Sequence, residues 1–371
     1  MIGHPTDCGC CTPERLDRLV AAREAADVLL ANAGITLAHK ATLDLSTPRG
    51  FDRALALMAS DLRRSAVGAE RNAVRDAVAG LDVDWPNTTK AQRRQLVDGA
   101  MRAAGRALEN VGEEASKRIS TYAEDAFKSG RRNAIRQGAR GASAAMTDED
   151  RALATALEAT NGFYITDAMG RRVEVFGERA LALADAGLEA GENRNQIRER
   201  LQGAADATLG RSGNYWEVVA AAFLSRASNA AHLHAYNEAG IEFYRLIATM
   251  DEATTLFCRL ANDQLIRVAD GMAQVRRVAG IDRQANPGAI RQVAPWVQQG
   301  RDAQGRTILY IDRDGTRQTV AVVTRNAMGN RDDAGEFEEV MSAQQRVDSG
   351  LGMPPFHGLC RTITVPDFGG R

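Results

Sequence analysis

Two short segments concentrate the side chains most capable of chemistry. Met250-Asp251-Glu252-Ala253-Thr254-Thr255-Leu256-Phe257-Cys258-Arg259-Leu260 and, about a hundred residues later, Pro354-Pro355-Phe356-His357-Gly358-Leu359-Cys360-Arg361 hold two of the five cysteines and one of the five histidines. Thiolate and imidazole are ligands that tetrahedral zinc prefers, so Cys258, His357 and Cys360 form a candidate metal set with Asp251, His234 or water as the fourth ligand. Against this, His357-x-x-Cys360 lacks a second tight pair facing it, and structural zinc sites usually show two. The same residues allow two plainer arrangements. One is a small core of buried thiols, with His357 hydrogen-bonded to Asp251 or a main-chain carbonyl and no cofactor at all. The other is a Cys258–Cys360 disulfide outside a reducing compartment.

Other clusters are read the same way. His4-x-x-x-Cys8-Gly9-Cys10-Cys11 is metal-capable but too tightly spaced for all four groups to reach one ion, and reads as a disordered or partner-bound terminus. His232 and His234 stand two apart on a helix, so their rings face different ways and do not share a metal. Arg226, on an otherwise apolar helix, is expected to form a structural ion pair with Asp251 and Glu252. Phe127 to Arg140 carries five basic residues, Lys128, Arg131, Arg132, Arg136 and Arg140, and no acidic one. That run is either a nucleic-acid or partner contact, since clustered cations neutralise phosphates, or a solvated helix end. No nucleophile elbow, phosphate loop, His-Glu-x-x-His or paired catalytic carboxylates occur, so no catalytic residue is expected.

The elements that must position these groups follow from the rest of the chain. With 371 residues it can form two or three domains. No apolar run approaches the roughly 18–20 residues of a membrane span, and the N-terminus lacks the basic-then-apolar pattern of a signal peptide, so a cytoplasmic protein is expected. A net charge of −1, from 47 basic and 48 acidic residues, leaves any contact with DNA to a local patch. Five cysteines are too sparse for a disulfide framework.

Apolar periodicity predicts helices from Pro13 to about Gly34, from Pro48 to about Leu81, and from Thr88 to Phe127 as one helix or a broken pair, with Thr89 as a cap. Thr147 reads as the cap of another helix with acids in its first turn. Residues 163–176 read as strand, turn and strand. Helices follow over Glu178–Leu188 and Asn193–Leu201, then a loop over 203–213, then a long helix from Asn214 stopped by Gly240. A strand over 242–249 leads into the Asp251 segment, and an Asp-Gly turn within 306–323 marks a hairpin. The expected class is α+β: a mostly helical N-terminal half with long helices, then a small α+β module containing β-hairpins. The partition is 1–141 helical domain or arm, 142–210 helical and hairpin middle region, and 211–371 C-terminal module with an insertion at about 265–350.

The order of these parts resembles the C-terminal module of the Mu F-like phage head morphogenesis family of minor capsid proteins. The resemblance rests on a helix carrying Arg226 and ending Ala235-Tyr-Asn-Glu-Ala-Gly240, a strand, Asp251-Glu252-x-Thr254 before Cys258-Arg259-Leu260, and Pro-Pro-x-His357-x-x-Cys360-Arg361. It covers roughly residues 190–371. Relatives often have Asp-Glu-x-Thr-Cys-x-x-Cys and His-x-x-Cys-Arg-Cys; here Thr255 replaces the first cysteine and Thr362 the last, and about ninety residues separate the motifs. The resemblance implies a non-enzymatic virion protein inside the head near the portal, assembled in the host cytoplasm. It implies partners among portal, major capsid or scaffold protein and packaged DNA. Two rival readings stand beside it: a metal-dependent hydrolase or toxin-like effector using His357, Cys258 and Cys360, and a DNA-binding protein acting through residues 128–140.

Overall fold

The structure, a computed structural model, describes residues 43–210, 213–281, 289–313 and 315–369. The helix expected from Pro13 to Gly34 and the His4, Cys8, Cys10, Cys11 cluster lie outside the described residues. The fold class is α+β, as expected: long helices come first and small antiparallel sheets follow. The chain forms two compact units, both discontinuous. One comprises Met1–Met58, Ser120–Leu157 and Glu217–Arg371; the other comprises Ala59–Ile119 and Glu158–Trp216. Positions 141 and 210, where the sequence suggests divisions, thus fall within units. Each observed division lies inside a helix, where no Gly- or Pro-rich linker announces it.

The helices are α1 (Pro48–Ala79), α2 (Lys90–Leu108), α3 (Val111–Arg136), α4 (Asp148–Glu189), α5 (Arg194–Thr208) and α6 (Gly213–Glu238). Their starts follow local chemistry. Thr89 and Gln92 form a reciprocal capping box at α2, as Asn193 and Gln196 do at α5. At α4 Thr147 and Asp150 exchange side chain to main chain bonds of 2.9 and 3.2 Å. A short 3₁₀ turn over Trp85–Asn87 separates α1 from α2, and residues 109–110 split the expected 88–127 helix into α2 and α3.

Residues 163–176 are not strand, turn and strand but the middle of α4. Ile165, Met169, Val173, Phe176, Ala180 and Ala184 are all buried at intervals of three and four, so one face of a continuous helix covers a core. Burial of that stripe overrides the local β preference of Tyr164-Ile165-Thr166 and the turn character of Asp167 to Gly170. The loop expected over 203–213 is likewise shortened, because α5 continues to Thr208.

The C-terminal part is built on α6, which is buried at every position from 219 to 236. It ends where Gly240 takes φ +67° and Ile241 N donates to Tyr236 O, the left-handed cap that a glycine permits. Next come β1 (Phe243–Ile247), α7 (Leu256–Ala261), β2 (Leu265–Arg267), α8 (Val268–Ala279), α9 (Ala289–Val293), β3 (Gln298–Arg301), β4 (Thr307–Arg313), β5 (Thr316–Arg325), β6 (Glu336–Glu339), α10 (Ala343–Arg346) and β7 (Ile363–Asp367). Two antiparallel sheets result, ordered β2-β1-β7 and β3-β4-β5-β6. β4 and β5 are the expected Asp-Gly hairpin, with Arg313 opposite Thr316. β2, at the start of the expected insertion, pairs with β1 and so belongs to the first sheet.

The final strand is held on two sides. Along β1, Leu246 pairs with Thr364 and Tyr244 with Pro366. From α6, Asn229 Oδ1 accepts from Thr364 N at 2.8 Å, His232 Nδ1 lies 3.0 Å from Thr364 Oγ1, and Tyr236 Oη donates to Thr364 O at 3.0 Å. Positions 229, 232 and 236 share one helix face. Every polar group of Thr364 is therefore satisfied by α6, which fixes the residues just before it.

α3 and α6 approach closely at Gly130. A Cβ there would stand 2.7 Å from Ser228 O and 2.8 Å from Ala231 Cβ. Gly130→Ala is expected to destabilise by about 1–3 kcal/mol through overpacking. Gly105→Ala in α2, where nothing lies within 4 Å, should instead be neutral or gain up to about 1 kcal/mol of helix propensity. Urea unfolding of the two variants tests the opposite signs.

Candidate metal centre

β1 leads into a turn that its own side chains close. Asp251 Oδ1 accepts from Ala253 N at 2.9 Å, Asp251 N donates to Thr254 Oγ1 at 2.8 Å, and Thr254 Oγ1 donates to Thr249 O at 2.5 Å. Thr255 then caps α7 by accepting from Cys258 N, which sets Cys258 in the first turn of that helix. On the other side, the hold of α6 on Thr364 and Asn229 Nδ2, 3.4 Å from Thr362 O, fix the segment that carries Cys360. Phe257 and Phe356 pack edge to face with centroids 5.0 Å apart and close the space beside the two segments.

The result brings Cys258, His357 and Cys360 together, their candidate ligand atoms all within 4.8 Å of one another. Cys258 Sγ lies 3.3 Å from His357 Nε2 and 3.8 Å from Cys360 Sγ. Both cysteines are free thiols and buried, 3 % and 0 % exposed, while His357 is half-buried. Thr255 and Thr362 adjoin Cys258 through their hydroxyls. Bonding to Cys360 and burial push the Cys258 thiol well up. Burial also opposes ionisation of Cys360, but the Cys258 thiol and the His357 imidazole outweigh it and hold Cys360 well below the ordinary thiol range.

Several expected pairings are rearranged. His357 faces sulfur through Nε2 rather than bonding Asp251, and its Nδ1 is buried without a hydrogen-bond partner among the described residues. Asp251 is occupied by Arg361 through Oδ2, and His234 bonds Asp150 at 2.5 Å, so neither is at hand as a fourth metal ligand. The expected ion pair of Arg226 with Asp251 and Glu252 is also replaced: Asp251 pairs with Arg361, and Glu252 lies 3.7 Å from Arg331. Arg226 is buried on α6, whereas the turn after β1 sets Asp251 against Arg361 of the second motif and Glu252 towards Arg331.

Arg259 and Arg361 each follow a cysteine, and both have structural roles that their place in the sequence does not assign. Arg259 is buried and donates to the carbonyls of Thr254, Asp251, Asn330 and Asp333. It ties the turn after β1 to the loop before β6. The signal for both was the repeated Cys-Arg pair set against Asp251.

The basic run is divided by its helix. Arg131 is wholly buried and bonded to Asp150, Glu238 and Ser143 O. It is therefore not a nucleic-acid contact. Lys128 pairs with Glu124 on its own helix, Arg136 lies 3.9 Å from Asp44, and Arg136 and Arg140 are exposed, with Arg132 half-buried. His232 and His234 bond to different partners, Thr364 and Asp150, as their spacing predicts.

No helix among the described residues is long and apolar enough to cross a membrane. Compared with known protein families, with curated proteins and with solved structures, the chain matches none.

Proposed function

We propose that the chain is a structural minor head protein of a tailed phage or prophage, acting in procapsid assembly by binding and not by turnover. Its partners are portal, major capsid or scaffold protein, with packaged DNA as a further contact, and its place is inside the head near the portal vertex. One observation carries the reading. The positions on which the Mu F-like resemblance rests, in segments about a hundred residues apart, meet in a single knot: Thr255, Cys258, His357, Cys360 and Thr362 adjoin, and Asp251 pairs with Arg361. A protein that closes its last strand onto an upstream turn in this way offers a firm body for docking. The long helices add faces on which partner helices can pack.

The hydrolase reading fits less well, because Asp251, which opens the motif that carries Cys258, is committed to Arg361 and so is not available as a catalytic carboxylate. Affinity purification of the tagged chain from producing cells, followed by mass spectrometry of purified particles, tests the proposal. Recovery with portal or capsid protein and presence in the particle are expected. A chain found only free and monomeric overturns it.

A further inference from the structure

The geometry points to Cys258, His357 and Cys360 as three ligands of a tetrahedral zinc ion that fastens the end of the chain to the turn after β1. This goes beyond the assembly reading and stands without it.

Two sulfurs about 2.3 Å from a tetrahedral zinc are about 3.8 Å apart, and a sulfur and an imidazole nitrogen about 3.5 Å apart. The observed separations are 3.8 Å for the sulfurs and 3.3 Å for Cys258 Sγ to His357 Nε2, with no pair beyond 4.8 Å. The three atoms thus already bound one face of such an ion. A disulfide needs the sulfurs at about 2.05 Å, a far larger approach between two anchored segments.

The surroundings call for a cation. The arginines that follow the cysteines are committed elsewhere, Arg259 to four carbonyls and Arg361 to Asp251. A zinc ion would take both sulfurs as thiolates, and its double charge would offset the cost of burying them. Thr362 is buried, and its hydroxyl faces the Cys258 sulfur. A water at the fourth position would meet it. Soft sulfur with imidazole selects zinc over magnesium or calcium, which take oxygen.

The test uses the full chain purified under reducing conditions. Elemental analysis should find stoichiometric zinc, lost in Cys258→Ser and Cys360→Ser. Exchange into cobalt should give thiolate-to-metal charge-transfer absorption and the visible bands of a tetrahedral ion. Thr362→Cys adds a fourth ligand where the hydroxyl stands, and should hold zinc at least tenfold more tightly against a competing chelator. This variant and the cobalt spectrum remain decisive should the serine variants fail to fold. Wild-type chain and Thr362→Cys that both take up no metal from excess zinc overturn the site. So does a mass two hydrogens low in non-reducing preparations together with no uptake after reduction, which would make the pair a redox couple.

Discussion

Replacing Arg131 by methionine is expected to destabilise the protein by about 3–5 kcal/mol, the largest effect of any charge removal proposed here. The guanidinium is wholly buried and makes three kinds of contact: 2.8 Å to Asp150 Oδ2, 2.6 Å to Ser143 O, and a close bond to Glu238. Asp150 is equally inaccessible and also accepts from Thr147 N at 2.9 Å and His234 Nδ1 at 2.5 Å. Methionine fills much of the space but leaves Asp150 buried without its arginine. The penalty is that of an uncompensated carboxylate, not of one lost attraction. Lys128→Ala and Arg136→Ala, which break pairs with solvent-exposed members, should cost no more than about 1 kcal/mol. Asp150→Asn combined with Arg131→Met should recover part of the loss, since the stranded charge goes with its partner. Urea unfolding of the four variants decides the matter. An Arg131→Met protein as stable as Lys128→Ala would mean that water reaches the network.

The same residue shows why a run of like charge is a poor guide to a binding face. In the sequence Arg131 is one of five equivalent cations. On α3, Arg131 points inward to carboxylates that come from the starts and ends of other helices, at positions 150 and 238. Those partners are distant in the chain, so no local pattern announces them.

Elements with strong local signals were legible: the caps at Thr89 and Thr147, the stop at Gly240, and the Asp-Gly hairpin all depend on neighbouring residues. Over residues 163–176 β-branched residues and a glycine imitate strand and turn, although the segment is helical. The helical spacing of Ile165, Met169, Val173 and Phe176 is present in the same stretch, and their burial decides for the helix. The meeting of Cys258, His357 and Cys360 was legible because rare residue types recur in two compact segments. The choice of Arg361 over Arg226 as the partner of Asp251 was not. It depends on the register in which β7 joins β1, and this in turn is set by the grip of α6 on Thr364.

That grip leads to the second large effect, a loss of stability between about pH 6.5 and pH 4. His232 is buried without exposure and lies between Asn133 Nδ2, 3.2 Å from Nε2, and Thr364 Oγ1, 3.0 Å from Nδ1. An amide nitrogen can only donate, so Nε2 accepts, and the ring's single proton is on Nδ1 facing Thr364. Burial therefore holds the folded imidazole neutral and lowers its pKa from 6.5 to about 4. The unfolded ring takes up its proton near 6.5, so over the interval the unfolded chain binds more protons than the folded one. Stability is full above 6.5 and falls as pH drops towards 4, by about 3 kcal/mol in all. His232→Gln should lower stability at pH 7 yet flatten the slope between pH 6.5 and 4. Asp150 acts in a separate window. Burial opposes its ionisation, but His234, Thr147 and Arg131 hold the carboxyl below its ordinary value of 3.8, so its contribution is present above that pH and disappears only in stronger acid. Urea midpoints for wild type and variant at pH 7, 5.5 and 4 separate the two groups. An unchanged slope in His232→Gln would place the acid sensitivity elsewhere and leave His232 as a packing residue only.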